Sequence, residues 1–137
     1  MSVHGSRVFA TWVVSTLTGG GLAARLGMKP ASVPSGAGWS VVYPIAGGIV
    51  DGTILDPNED ATPDIQVTSA SYDATQTLWQ SDKVRELLLA AVPATLSDGR
   101  DVIFVEPTWP DPTLARDEDV TPPVFFCTDR YSFRTAP

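Results

Sequence analysis

One cysteine and one histidine in 137 residues remove most of the usual chemistry of sites at once. Cys127 has no partner for an internal disulfide, which excludes a stapled scaffold and fits a reducing cytoplasm. Flanked by Phe126 and Thr128, it reads as a small buried hydrophobe within a strand. A catalytic thiol or a Ser-His-Asp arrangement would need His4 as its base, and His4 lies in a terminal stretch of the kind that frays. A metal would have to be held by carboxylates alone, and no Asp/Glu pair shows a ligand spacing. Paired carboxylates that meet only in space leave no sequence trace, and that possibility stays open.

Basic residues are also scarce: 9 Lys+Arg stand against 16 Asp+Glu, a formal net charge of −7. Such a balance argues against a partner held mainly through its phosphates, because that binding is built on clustered Lys and Arg. Long apolar runs are missing too. Arg7 followed by Val8 to Val14 resembles the start of a secretory signal, but Ser15, Thr16 and Thr18 to Gly21 interrupt it well short of the ~18 residues of a membrane span. We read a buried helix there. With 43% hydrophobic and 18% charged residues, the chain is expected to form one soluble α+β domain over residues 1–137, and 12 prolines with 11 glycines predict long punctuated loops.

The apolar positions Val8/Trp12 and Phe9/Val13/Leu17 recur at the i, i+4 spacing of one helix face, with Ser6 as N-cap, and Gly19-Gly20-Gly21 ends the segment. Leu22 to Leu26 has room for at most a short further turn. Trp39 to Tyr43, closed by Pro44, predicts a first strand; Asp64 to Ser71 a second, with Ile65, Val67 and Ser69 on one side. Between them Ala46 to Pro63 is a long loop. A helix over Ala74 to Ala91 follows, capped by Asp73 with Gln76 reaching back. Its apolar face is Val84, Leu87, Leu88 and Ala91, joined by Leu78, leaving Asp82, Lys83, Arg85 and Glu86 to solvent. Val102 to Glu106 reads as a strand buried on both faces, Pro107 to Pro123 as a second long loop, and Val124 to Arg134 as a final alternating strand interrupted at Asp129. The expectation is a four-stranded mixed or antiparallel sheet with two helices in the order α-β-β-α-β-β.

Few motifs carry chemistry. Asp56, Asn58 and Asp60 match positions 1, 3 and 5 of a calcium loop, but Ala61 and Val67 replace its glycine and its glutamate, which leaves a solvated acidic turn. The three consecutive glycines lack the Lys-Ser/Thr of a phosphate-binding loop. Arg130 and Arg134 share one face of the last strand at ~3.3 Å per residue, either an ordinary exposed face or a contact for an acidic neighbour. Trp109, between Pro107, Pro110 and Pro112, is a low-entropy anchor for another surface or packs back on its own sheet.

Tyr43-Pro44, Gly47-Gly48, Asp51-Gly52, Asp56-Pro57, Asp60-Ala61, Ile65-Gln66-Val67-Thr68-Ser69, Trp79, Asp82-Lys83-Val84-Arg85 and Leu88 together span the middle of the chain. In these positions, roughly residues 39 to 92, the sequence resembles the tail terminator proteins of long-tailed bacteriophages, in particular those infecting actinobacteria. The resemblance implies a small non-enzymatic subunit without cofactor. Such subunits assemble as a ring, usually a hexamer, on the last ring of a completed tail tube in the host cytoplasm. There the ring stops growth and joins the tail to the neck proteins of the head; the net charge of −7 per chain is compatible with an acidic lumen through which the genome passes. The resemblance carries over no site residue; from the chain's own residues, subunit or partner contacts are expected at Trp109, Leu114, Arg130, Arg134, Asp56 and Asp60. Two other readings stay open: another neck component, such as a head-closure or head-to-tail joining protein, and a small cytoplasmic ligand-binding domain. The last predicts a pocket of convergent polar groups with a perturbed acid, whereas a ring subunit exposes large apolar side chains.

Overall fold

The computed structural model describes residues 3–45, 64–97, 99, 101–108 and 113–136. Helix α1, Val3–Gly19, starts ahead of Ser6, which lies inside it instead of capping it. Its expected stripe is buried at Phe9, Val13 and Leu17, with Ala10 beside them. The glycine run terminates it as its composition suggests. Leu22 N–H donates to the Leu17 carbonyl at 3.1 Å and Gly21 N–H to that of Thr18 at 3.0 Å. Gly21 sits at φ +92°, a left-handed position that a side chain would strain.

The next segment is extended instead of helical: β1, Ala24–Leu26, pairs in parallel with β2, Trp39–Ile45. β2 runs on through Pro44, which falls beyond the 40–42 stretch covered by β1, where a strand edge tolerates proline. β3, Asp64–Ser71, alternates as expected, with Ile65, Val67 and Ser69 buried. Helix α2 is Ala74–Ala90. Asp73 Oδ2 accepts from Gln76 N–H at 3.0 Å, while Asp73 N–H donates to Ser71 Oγ at 3.1 Å, so Ser71 takes the place foreseen for the Gln76 side chain.

The buried face of α2 is Thr77, Gln80, Ser81, Val84 and Leu88, and Leu78 is 44% exposed. The stripe is thus rotated by one residue from its apolar prediction. The reason lies in what the helix covers, since Ser40 and Asp129 of the sheet beneath it are themselves buried and polar.

Among the described residues seven strands form the sheet, not four. After α2 come β4 (Ala94–Thr95), β5 (Asp101–Pro107), β6 (Leu114–Asp117) and β7 (Val124–Ala136). The order is β1-β2-β3-β7-β5-β4, with β6 beside β7, and every pairing except β1 with β2 is antiparallel. The segment read as a 107–123 loop therefore contains a strand. β6 pairs with Val124–Cys127 and β5 with Tyr131–Ala136, so the two lie end to end along one edge of β7. They make one long hairpin, interrupted opposite residues 128–130. β5 is not buried on both faces either. Val102 is buried, but a register shift before Phe104 breaks the alternation and leaves Ile103 49% and Phe104 51% exposed.

Both helices cover one face of the sheet. Phe9, Val13, Leu17, Val84 and Leu88 pack there on Val42, Ile65, Val67, Val102, Tyr131 and Phe133. The Phe9 and Phe133 rings meet edge to face at 4.6 Å. The opposite face carries the partners of the other alternation, including Thr68 and Thr128, whose hydroxyls lie 3.2 Å apart. This register of α2 is testable: Leu88→Ala should cost about 2–5 kcal/mol of unfolding free energy in urea titrations and Leu78→Ala under about 1 kcal/mol. Equal losses would contradict the rotated face.

Candidate functional site

Asp129 interrupts the apolar alternation of β7 and is nonetheless buried, its side chain 1% exposed. It points to the helix-covered face along with Cys127 and Tyr131. One turn apart on α2, Ser81 and Arg85 come down on it. Ser81 Oγ donates to Asp129 Oδ2 at 2.6 Å, and Arg85 Nη2 approaches Oδ1 at 3.4 Å. Cys127 Sγ donates to Ser81 Oγ at 3.8 Å. The same helix also bonds the sheet through Gln80 Nε2 to Ser40 Oγ at 2.9 Å, a 2.7 Å contact between the hydroxyls of Ser71 and Thr77, and Thr77 Oγ1 to the Phe125 carbonyl at 3.3 Å. A polar seam thus runs along the contact between α2 and the sheet from Thr77 to Arg85, beyond which Leu88 continues it as apolar core.

Burial pushes the Asp129 carboxyl above its ordinary range, and the Ser81 hydroxyl and Arg85 guanidinium pull it part of the way back. Burial likewise raises Cys127, which stays a protonated thiol, and Tyr131, whose hydroxyl is buried beside Arg85 without a well-formed hydrogen bond. For Arg85 burial works against the charge, but Tyr131 and Asp129 outweigh it and hold the guanidinium ionised. The cluster anchors a helix.

Of the six foreseen contact residues, Leu114, Arg130 and Arg134 are described. Trp109, Asp56 and Asp60 lie outside the described residues. Leu114 is half-buried in β6 opposite Cys127, on the helix-covered side. Arg130 and Arg134 share the other face as the alternation predicts, the first half-buried and the second exposed opposite Phe104. The backbone of Arg130 is engaged, since both the N–H and the hydroxyl of Thr108 donate to its carbonyl, at 2.8 and 3.2 Å.

Sequence reasoning missed the surfaces beside α2 and β2. Trp79, 51% exposed, walls a groove of about 520 Å³ between the C-terminal end of α1, residues 34–38 and the first turns of α2. Gly38 packs closely there: a Cβ would stand 3.0 Å from the Ala70 carbonyl oxygen, so the backbone would have to give slightly to admit a side chain. A second cleft of about 350 Å³ is bounded by Trp39 and Tyr72, whose rings meet at 5.4 Å, with Lys29 Nζ 4.2 Å above the Trp39 ring. The available signal was an aromatic on the polar side of a predicted helix, at Trp79. Neither cleft is lined by Asp129.

No protein-family model matches the chain, and neither does any curated protein. Among solved structures the fold is shared with a chain of the virion of a native gene transfer agent particle. That likeness has a TM-score of 0.64 at 14% identity and covers 99% of this chain and 98% of that one. It is a likeness of fold, and it extends over nearly the full length of both.

The Asp129 cluster generates a signed prediction. Because the folded state holds this proton more tightly than the unfolded chain, its contribution to stability falls as pH rises from 3.8 through the raised value. Unfolding free energies of wild type and Asp129→Asn, measured in urea from about pH 3.5 to 7, should diverge, with wild type losing ground as pH rises. Parallel curves would refute it. Ser81→Ala, which leaves the carboxylate one donor short, should cost about 1–3 kcal/mol at neutral pH.

Proposed function

We propose that this chain is a structural protein of a phage-type virion, and more specifically the tail terminator. In this reading about six copies close into a ring on the finished tail tube, stop its growth and present the surface that the neck of the head joins. The observation that carries the proposal is the near-complete two-way overlap of its fold with a chain from a gene transfer agent virion. The terminator assignment within that class comes from the resemblance over residues 39 to 92.

Surface character supports assembly over small-molecule chemistry. Met28, Tyr72, Trp79, Ile103 and Phe104 are each about half exposed, a load of large apolar groups that a partner surface would cover. The one carboxyl raised by burial, Asp129, is sealed under α2 and lines neither cleft, so the pairing of pocket and perturbed acid expected of a ligand-binding domain is not met among the described residues. The protein acts without catalysis or cofactor. An excess of acid, −7 per chain, suits a lumen through which DNA slides, because phosphates are repelled from it.

Native mass spectrometry of the purified chain with negative-stain imaging, alone and on purified tail tubes, tests the reading. The expected result is a closed ring with a central hole that blocks further tube growth. Rings that leave tube ends growing would move the assignment to another neck component, and a chain that stays monomeric under both conditions would overturn ring assembly.

A further inference from the structure

All 16 Asp and Glu follow position 50, whereas the first 50 residues hold Arg7, Arg25 and Lys29 and no acid at all. Among the described residues the fold sets Arg25 and Lys29 at one side of the sheet and Asp101, Glu106, Asp117, Glu118 and Asp119, against Arg116, at the other. α1, β1 and β2 build one lateral end of the sheet, and β5 and β6 flank β7 toward the other.

Among the described residues both ends are open strand edges. β1 pairs only with β2 and β6 only with β7, while β4 covers β5 no further than Val102. Such edges present unpaired N–H and C=O groups to whatever lies beside them. Their side chains are matched. At the β1 edge exposed Arg25 stands with Leu26 and Met28, 42% and 53% exposed. Along the opposite edge exposed Glu106 stands on β5 with Ile103 and Phe104, and at its far end exposed Glu118 and Asp119 follow β6, against the single cation Arg116. Arg25 is in register with Val41 and Glu106 with Ser132, so the two charges lie on the same, helix-free face of the sheet.

We infer that copies of this chain associate head to tail, the basic β1 edge of one copy against the acidic β5–β6 edge of the next. Each patch would repel a copy of itself, which disfavours a two-fold dimer. Unlike patches at opposite ends instead make a heterologous contact that repeats around a ring. The inference rests on the ring reading above and names the surface through which the ring closes.

Two variants test it. Arg25→Glu/Met28→Glu makes both edges acidic, and Glu106→Arg/Glu118→Arg/Asp119→Arg makes both basic. Each alone should need at least about tenfold more protein to assemble, because like charges then face each other. An equimolar mixture should regain rings in which the two variants alternate, at equal copy number by native mass spectrometry. If circular dichroism shows either variant unfolded, Leu26→Asp and Phe104→Lys replace them. Rings that persist in each variant alone, or folded variants that stay apart when mixed, would overturn the edge contact and leave ring assembly standing. Wild type that never assembles, alone or on tail tubes, would overturn both.

Discussion

A carboxylate taken out of water must be met by donors, and in this chain that demand at Asp129 decides where α2 sits. Only a helix that presents Ser81 and Arg85 on one side can close over β7 at that point. Once it does, Gln80 reaches Ser40, Thr77 reaches Ser71, and Leu88 and Val84 drop into the core. The polar seam fixes the rotation of the helix, and the apolar residues supply the burial. A purely apolar face centred on Leu78 and Leu87 would have left the carboxylate uncompensated, which is why the polar residues win the buried positions.

Elements whose own side chains repeat with a clear period could be read without the fold. β3 and α2 match their expected bounds closely, and β7 does so apart from two added residues, because half-buried strands and amphipathic helices write their burial into the sequence. β1, β4 and β6, of three, two and four residues, are too short to show any period. They exist because a neighbouring strand offers hydrogen bonds, and that neighbour is distant in sequence or masked by prolines. β5 misled for another reason: its continuous apolar run looks like a strand covered on both sides, yet the register shift before Phe104 turns two of those side chains outward.

The site was less legible than the fold. Asp129 could be seen as an irregularity in β7, but its donors lie 48 and 44 residues away in a helix, a separation that no local pattern bridges. Arg130 and Arg134 were correctly placed on one face, while Leu114 belongs to the other side of the hairpin, since paired strands alternate their faces together. The exposure of Trp79 and Tyr72 depends on where residues 34–38 and α1 pass, information held by the whole chain.

The interrupted hairpin gives the chain a place to change length. β5 holds its register against Tyr131–Ala136 and β6 holds its own against Val124–Cys127, and between them one side of the hairpin already carries more residues than the other. Added or removed residues between 108 and 113 are absorbed there, with neither ladder forced to slip and no core side chain turned to the wrong face. Evolution can therefore lengthen, shorten or rewrite that segment to suit a different neighbour while the sheet that carries it stays the same.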